Sequence, residues 1–114
     1  MHELSLCQSI HDIVDRARGD RVVESVHLQI GQLRQVVPDT LVYCWALVTE
    51  QGPLAGSALD IDHRPVVLDC RDCGGRTTVA DALVLTCATC GSGAIELVSG
   101  DEFLVTSLEL VKES

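Results

Sequence analysis

The chain has few aromatic and few basic residues. Phe, Trp and Tyr make up 3% of its 114 residues, and 8 Lys and Arg stand against 17 Asp and Glu, for a formal net charge of −9. Nucleic-acid binding requires clustered basic side chains, and single-strand binding also uses aromatic platforms for base stacking. The composition therefore argues against a nucleic-acid partner.

Long apolar runs and catalytic signatures are also missing. Hydrophobic residues are 46% of the chain, enough for a core, but no run reaches the length of a membrane span. The first residues, Met1 to Ser5, lack a basic segment followed by a long apolar run, so no secretory signal is expected. Neither a Gly-x-Ser-x-Gly elbow nor a glycine-rich phosphate loop occurs. We expect a soluble cytoplasmic protein that has no membrane partner and is not an enzyme.

Four of the six cysteines form two matched pairs. Cys70 and Cys73 enclose two residues and are followed by Gly74, and Cys87 and Cys90 repeat the pattern before a second glycine. This spacing lets two thiolates converge on one ion from a tight turn, and the second copy completes a tetrahedral set. Glycine suits such turns because it adopts positive φ readily. The pattern predicts a structural Zn(II) site.

Other interpretations of the cysteines have less support. A redox C-x-x-C needs only one dithiol and is expected beside a βαβ pattern, whereas two copies favour metal. Disulfides are not expected in a reducing compartment. The two remaining cysteines, Cys7 and Cys44, lie among apolar residues and are predicted to be small buried side chains.

The apolar pattern predicts an α+β fold in which two helices cover a small three-stranded sheet, with an inserted zinc-ribbon-like domain. We expect the α+β domain to comprise residues 1–66 and 100–114 and the zinc-binding domain to comprise 67–99. The predicted elements are a helix over 4–18, a strand over 22–30, a helix from Pro38 to Gly52, a strand near 59–63, an extended segment over 95–98 and a final strand over 103–111.

Periodicity also predicts which side chains face the core. Apolar residues in the helices recur at helical spacing, and those in the strands alternate with polar ones. The residues assigned to the core on this basis are Leu6, Ile10, Ile13, Val14 and Ala17 in the first helix, Val22, Val26, Leu28 and Ile30 in the first strand, Leu41, Val42, Trp45 and Val48 in the second helix, and Leu104, Leu108 and Leu110 in the last strand.

His2 gives the N-terminus an unusual set of metal ligands. The α-amino group, the backbone nitrogen of His2 and its imidazole can close adjacent chelate rings on one ion, with Glu3 adding a backbone nitrogen or its carboxylate. Nitrogen-rich planar or tetragonal sites suit Ni(II) or Cu(II) rather than zinc. A histidine at this position is otherwise a frayed, solvated residue.

Several segments together resemble one protein family, the HypA/HybF hydrogenase maturation factors, which are nickel metallochaperones. The matches cover the whole chain and are highly specific in combination. They are the start MHELSLCQSI, VHLQIG at 26–31, VVP at 36–38 with Leu41 beyond it, both cysteine pairs, and SGDEF at 99–103.

The resemblance implies a role for particular positions and partners. His2 matches the nickel-binding histidine and Glu3 its acidic neighbour, while the four paired cysteines match the structural zinc ligands. It implies that the chain delivers Ni(II) during maturation of [NiFe] hydrogenase, with a GTPase maturation factor and the hydrogenase large subunit as partners, and in some members a link to urease. A homodimer is compatible with the sequence. The alternative to a nickel metallochaperone is a zinc-ribbon module for protein interaction or nucleic-acid binding.

One stretch departs from the family pattern. After Gly31 the family often has an acidic residue and then Leu-Ser-Gly-Val, whereas this chain reads QLRQV. The departure leaves open whether the Gly31 to Asp39 loop adds a nickel ligand. His11, His27 and His63 are assigned structural or solvated roles, since each falls on a polar face or near a strand end.

Overall fold

The computed structural model describes residues 2–79 and 83–111. Its elements follow one another as two helices and six strands with one short 3-10 turn. They are α1 (His2–Arg18), β1 (Val23–Gly31), the 3-10 turn Gln32–Arg34, α2 (Pro38–Thr49), β2 (Ala58–Arg64), β3 (Val67–Cys70), β4 (Arg76–Thr78), β5 (Ile95–Ser99) and β6 (Phe103–Leu110).

Helix α1 forms where the helical apolar period predicts it and ends at Gly19, which takes a φ of +63°. Its fully buried residues are Cys7, Ile10 and Val14, a spacing of three and four that places them on one face. The prediction that Ile13 belongs to the core is wrong, because its side chain is 47% exposed. Ala17 was also predicted to belong to the core, but its side chain is exposed. The buried stripe is narrower than the sequence pattern suggested.

Helix α2 begins at Pro38, whose fixed φ and missing N–H suit the first turn. Leu41, Trp45 and Thr49 are buried at intervals of four residues, and the indole Nε1 of Trp45 donates to Ser57 Oγ at 3.1 Å. Val42 was predicted to lie in the core but is 45% exposed. The buried face of α2 is thus a single row, and its opposite face remains apolar.

The first sheet has the strand order β2-β1-β6, so the central strand is the first one in the chain. Val26, Leu28 and Ile30 of β1 are buried as predicted. The predicted core residues are wrong at the start of β1 and in β6. Val23 rather than Val22 is buried at the start of β1, and Leu104 of β6 is exposed.

The second sheet has the order β4-β3-β5, with β3 antiparallel to both neighbours. Its strands β3 and β4 have four and three residues and were not predicted, because runs this short carry no clear period. A small separate core supports this sheet. Its buried residues are Val66, Leu68 and Val79, with Leu33, Leu83 and Ile95 packed against them.

The chain divides into two compact units. The first comprises Met1–Gln29, Val36–Asp62 and Leu104–Ser114, and the second comprises Ile30–Gln35 and His63–Phe103. The predicted domain bounds, 1–66 with 100–114 for the α+β domain and 67–99 for the zinc-binding domain, stay a prediction. The segment 30–35 was not expected in the second unit.

Backbone hydrogen bonds explain why the segment 30–35 belongs to the second unit. The Gly31 N–H donates to Glu102 O and the Leu33 N–H donates to Gly100 O, both at 2.8 Å. The Gln32 side chain accepts a bond of 2.9 Å from the Val66 N–H. Gly31 has no room for a side chain, because a Cβ atom there would overlap the carbonyl of Gly100.

Candidate metal centre

The two cysteine pairs bring four sulfur atoms together in the second unit. Their Sγ atoms all lie within 4.8 Å of one another. Two approaches cross from one pair to the other, with 3.6 Å between the Sγ atoms of Cys70 and Cys90 and 3.6 Å between those of Cys73 and Cys87. Four ligands at about 2.3 Å from a tetrahedral zinc ion stand about 3.8 Å apart. The sulfur set therefore fits a structural zinc site.

The first turn, or knuckle, follows β3 and is closed by two backbone hydrogen bonds. The Gly74 N–H donates to Cys70 O at 3.1 Å, and the Cys70 N–H donates to Gly75 O at 2.9 Å. Gly74 has a φ of +74°, and a Cβ atom there would meet nothing within 4 Å. The backbone conformation, rather than lack of space, is what favours glycine.

The second knuckle repeats this geometry. The Gly91 N–H donates to Cys87 O at 2.8 Å, the Cys87 N–H donates to Ser92 O at 2.9 Å, and Gly91 has a φ of +73°. The positive φ of the glycine after each cysteine pair was predicted from the sequence, and both turns have the same form. Two unlike stretches of sequence thus present their thiols in the same way.

Backbone N–H groups point at the sulfur atoms and favour thiolates. The Gly75 N–H lies 3.4 Å from Cys73 Sγ, and the Cys73 N–H lies 3.5 Å from Cys70 Sγ. The N–H groups of Cys90 and Thr89 lower the pKa of Cys87 to about 6. A thiolate is the form in which cysteine binds metal.

Sulfur atoms this close cannot all ionise without a cation. The Ser92 N–H lowers the pKa of Cys90, but the neighbouring thiols of Cys70, Cys73 and Cys87, together with burial, raise it to about 12. A bound Zn(II) would supply the positive charge that lets all four thiols deprotonate and would cross-link the two knuckles. Cys70 and Cys87 are buried while Cys73 and Cys90 are exposed, and four protein ligands leave no open position.

A side-chain bond between the knuckles was missed by sequence reasoning. The Ser92 hydroxyl donates to Asp72 Oδ2, and the Ala94 N–H donates to Ser92 Oγ at 3.0 Å. Asp72 lies inside its cysteine pair and Ser92 lies beyond its own pair, so the matched spacing gives no signal that they meet.

The predicted nickel residues lie at the start of α1. The helix begins at His2, whose side chain is outside the described residues, and Glu3 is half-buried in the first turn. Asp39 lies in the first turn of α2. Within residues 2–79 and 83–111, the only group of three or more potential metal ligands whose atoms converge is the set of four cysteines. The assignment of His2 and Glu3 stays a prediction.

The other histidines have structural surroundings or are solvated. His11 is half-buried, with its ring centroid 6.4 Å from that of Trp45, and His63 is exposed. His27 is placed between two carboxylates, with Nδ1 2.9 Å from Asp60 and Nε2 2.6 Å from Glu109. This arrangement across three strands was not predicted, since the strand pairing that creates it is not visible in the sequence.

The two unpaired cysteines differ in burial. Cys7 is fully buried, and its thiol lies 3.4 Å from Leu41 O. Burial raises the pKa of Cys7 to about 12, with the nearby Cys44 and Glu3 adding to the shift. Cys44 is half-buried. Cys7 is therefore the small buried residue that was predicted.

None of the helices in the described part of the chain is long and apolar enough to cross a membrane.

Comparison with known proteins gives consistent matches over nearly the whole chain. A hydrogenase maturation factor HypA from Desulfatibacillum aliphaticivorans is 34% identical, with 96% of this chain and 87% of that protein covered. One from Chlorobium luteolum is 39% identical, with 99% and 98% covered. The solution structure of the nickel metallochaperone HypA from Helicobacter pylori matches with a TM-score of 0.64 and 25% identity, covering 99% of this chain and all of that one.

The family description agrees with these relatives. The model of the family described as "Hydrogenase/urease nickel incorporation, metallochaperone, hypA" matches residues 1–110. That range includes both compact units and all four paired cysteines. The chain therefore belongs to the HypA family of nickel metallochaperones that act in hydrogenase maturation.

Proposed function

We propose that this protein binds Ni(II) at its N-terminus, through the α-amino group and His2, and delivers it during maturation of [NiFe] hydrogenase. The observation that carries the proposal is the closed sulfur site in a member of a nickel-incorporation family. A cargo ion needs ligands that exchange, and four converging thiolates offer no open position. Nickel is therefore assigned to a separate site, while zinc at Cys70, Cys73, Cys87 and Cys90 serves as a structural element.

The helix start supports the proposed ligands. The N–H groups of the first turn of a helix have no acceptor within that helix. Because α1 begins at His2, coordination by the backbone nitrogens of His2 and Glu3 costs no helical hydrogen bond. Nitrogen ligands in a square arrangement suit Ni(II), and the site shares no ligand with the zinc centre.

The nickel ion can be passed on because its ligands are few and accessible. A site made by one chain terminus leaves coordination positions through which thiolates of a recipient can enter before the donor ligands leave. We propose the hydrogenase large subunit as recipient and a GTPase maturation factor as partner, with urease as a second destination. In this role the protein acts in the cytoplasm as a carrier and catalyses no reaction.

The direct test is nickel titration of His2→Ala against a matched histidine variant in the same helix, His11→Ala. The first should lose tight nickel binding and keep its zinc and its circular dichroism spectrum, while the second should bind nickel as the native protein does. Normal nickel affinity in His2→Ala would refute the site. For delivery, cells lacking the native protein should regain hydrogenase activity with His11→Ala but not with His2→Ala.

A further inference from the structure

The outward side of α2 is apolar without being covered by the described chain. We call Val42, Tyr43, Ala46 and Leu47 the α2 outer face. Tyr43 is 65% exposed and Leu47 is 51% exposed, and Ala46 is also exposed. On a helix of 3.6 residues per turn, Tyr43 and Leu47 lie opposite the buried row that contains Trp45, while Val42 and Ala46 lie between that row and them.

Charged residues are absent from this face and present at both of its ends. The ten residues from Thr40 to Thr49 include none that is charged, although 22% of the chain is charged. Asp39 in the first turn and Glu50 at the C-terminal cap are exposed and fall on the same side of the helix. An apolar strip about 17 Å long thus lies between two carboxylates.

Interface composition distinguishes this strip from scattered exposed apolar residues. Tyrosine is enriched among residues that contribute strongly to protein binding, and this is the only tyrosine of the chain. The small side chain of Ala46 lies between larger ones, which leaves a depression for a side chain of a second helix. By contrast, the exposed Ile13 of α1 stands next to Asp12 and near Arg16.

From these features we propose that the α2 outer face docks an amphipathic helix of a partner protein, with an apolar stripe bordered by Lys or Arg. The stripe would pack on Val42, Tyr43 and Leu47, and basic side chains would pair with Asp39 and Glu50. The net charge of −9 would accelerate the approach of such a segment. None of the four residues of the α2 outer face is a proposed nickel or zinc ligand, so this docking role goes beyond the metal-binding role.

A second copy of the chain fits this face less well. Twofold symmetry applies the same patch to both copies. Pairing two α2 helices antiparallel would bring Asp39 of one copy to Glu50 of the other, and parallel pairing would bring equal carboxylates together. Both arrangements place like charges at each end of the contact, whereas a basic helix neutralises them.

The test uses the full-length, zinc-loaded protein labelled with ¹⁵N and a synthetic helical peptide, LKKLLKLLKKLLKL, with a matched peptide in which Glu replaces each Lys. The lysine peptide should shift amide signals of α2, and the glutamate peptide should bind at least tenfold more weakly. The double variant Tyr43→Ser with Leu47→Ser should lose at least tenfold in affinity. The control Leu104→Ser, at an exposed apolar residue of β6, should bind as the native protein does.

Charge is tested by Asp39→Asn with Glu50→Gln, which leaves the apolar strip unchanged and should weaken binding severalfold while reducing its salt dependence. Nickel affinity should be unchanged in the variant with both Tyr43→Ser and Leu47→Ser, so failure of the docking proposal and failure of the nickel site give different results. Equal binding of both peptides, shifts confined to other surfaces, or unchanged affinity in both double variants would overturn the proposal. So would a dimer of the native protein that the Tyr43 and Leu47 changes dissociate.

Discussion

The Sγ atom of Cys70 lies 3.6 Å from the Sγ atom of Cys90, a residue of the other knuckle. Cys73 and Cys87 make the second such approach at the same distance. Each cysteine of the set therefore has a sulfur neighbour at 3.6 Å in the opposite knuckle. The ion that fits this set connects β3 to a segment that otherwise has little regular structure.

We predict that Cys73→Ser loses zinc and disorders the second unit, because three thiolates and a hydroxyl bind zinc far more weakly and metal binding is coupled to folding. The measurement is zinc content together with amide hydrogen exchange of residues 67–79 and 83–99. The control is Cys44→Ser, a half-buried cysteine outside the metal centre, which should keep its zinc. A zinc-loaded, normally protected Cys73→Ser protein would contradict the assignment.

Gly31→Ala should destabilise the second unit by about 1–3 kcal/mol or more, because the added methyl group overlaps the Gly100 backbone and forces it to move. Gly52→Ala is the matched control, since a Cβ atom there meets nothing within 4 Å and its φ is not positive. Urea unfolding followed by signals of the second unit gives the difference. Equal midpoints for the two variants would show that the close approach is not required.

His27 should make the first unit less stable as the pH rises. The hydrogen bond with Glu109 raises the pKa of His27 above its usual value, against a smaller effect of burial, and Asp60 adds to the rise. A neutral imidazole has one N–H, so only the protonated ring donates to both carboxylates. Asp62 lines the same groove and adds negative charge.

The direction of this pH dependence follows from the linkage between proton binding and folding. Because the folded-state pKa is raised, the stabilisation is complete below the unfolded value of about 6.5 and is lost as the pH rises through the folded value. The stability advantage of the native protein over His27→Gln should therefore shrink as the pH rises above about 6.5. His63→Gln, at an exposed histidine, is the control. A stability difference between the native protein and His27→Gln that stays constant as the pH rises would contradict this role of His27.

The convergence of the four paired cysteines could be predicted from the sequence because its signal is local. Cys70 and Cys73 are fixed by spacing and by the following glycine, and no tertiary information is needed to recognise them. Helices α1 and α2 were similarly predictable from their period. Which apolar residues are covered is a different question, since Ile13 and Val42 lie at the margins of their stripes and neighbouring elements decide their exposure.

The strand errors also have physical causes. In β6, Thr106 and Ser107 are both exposed, which breaks the alternation, so the phase read back from Leu108 put Leu104 on the wrong face. The place of segment 30–35 in the second unit depends on backbone bonds to Gly100 and Glu102, distant in sequence. Long-range pairing of this kind leaves no periodic trace.

Nickel affinity should fall with decreasing pH. The ordinary pKa values of the imidazole and α-amino groups are about 6.5 and 7.7–8.0, and both groups must be deprotonated to bind. Isothermal titration between about pH 8 and pH 6 should show affinity decreasing by up to about tenfold per pH unit for each competing proton. An affinity that does not change over this range would exclude the proposed ligands.

The most direct test of the nickel assignment is titration of the native protein against one extended by Gly-Ser before Met1. The extension removes the α-amino group from its place beside His2 but leaves every side chain and the zinc centre intact. We predict a loss of at least about 100-fold in nickel affinity with unchanged zinc content, consistent with removing one ligand and its chelate ring. An extended protein that binds nickel as tightly as the native one would contradict N-terminal coordination.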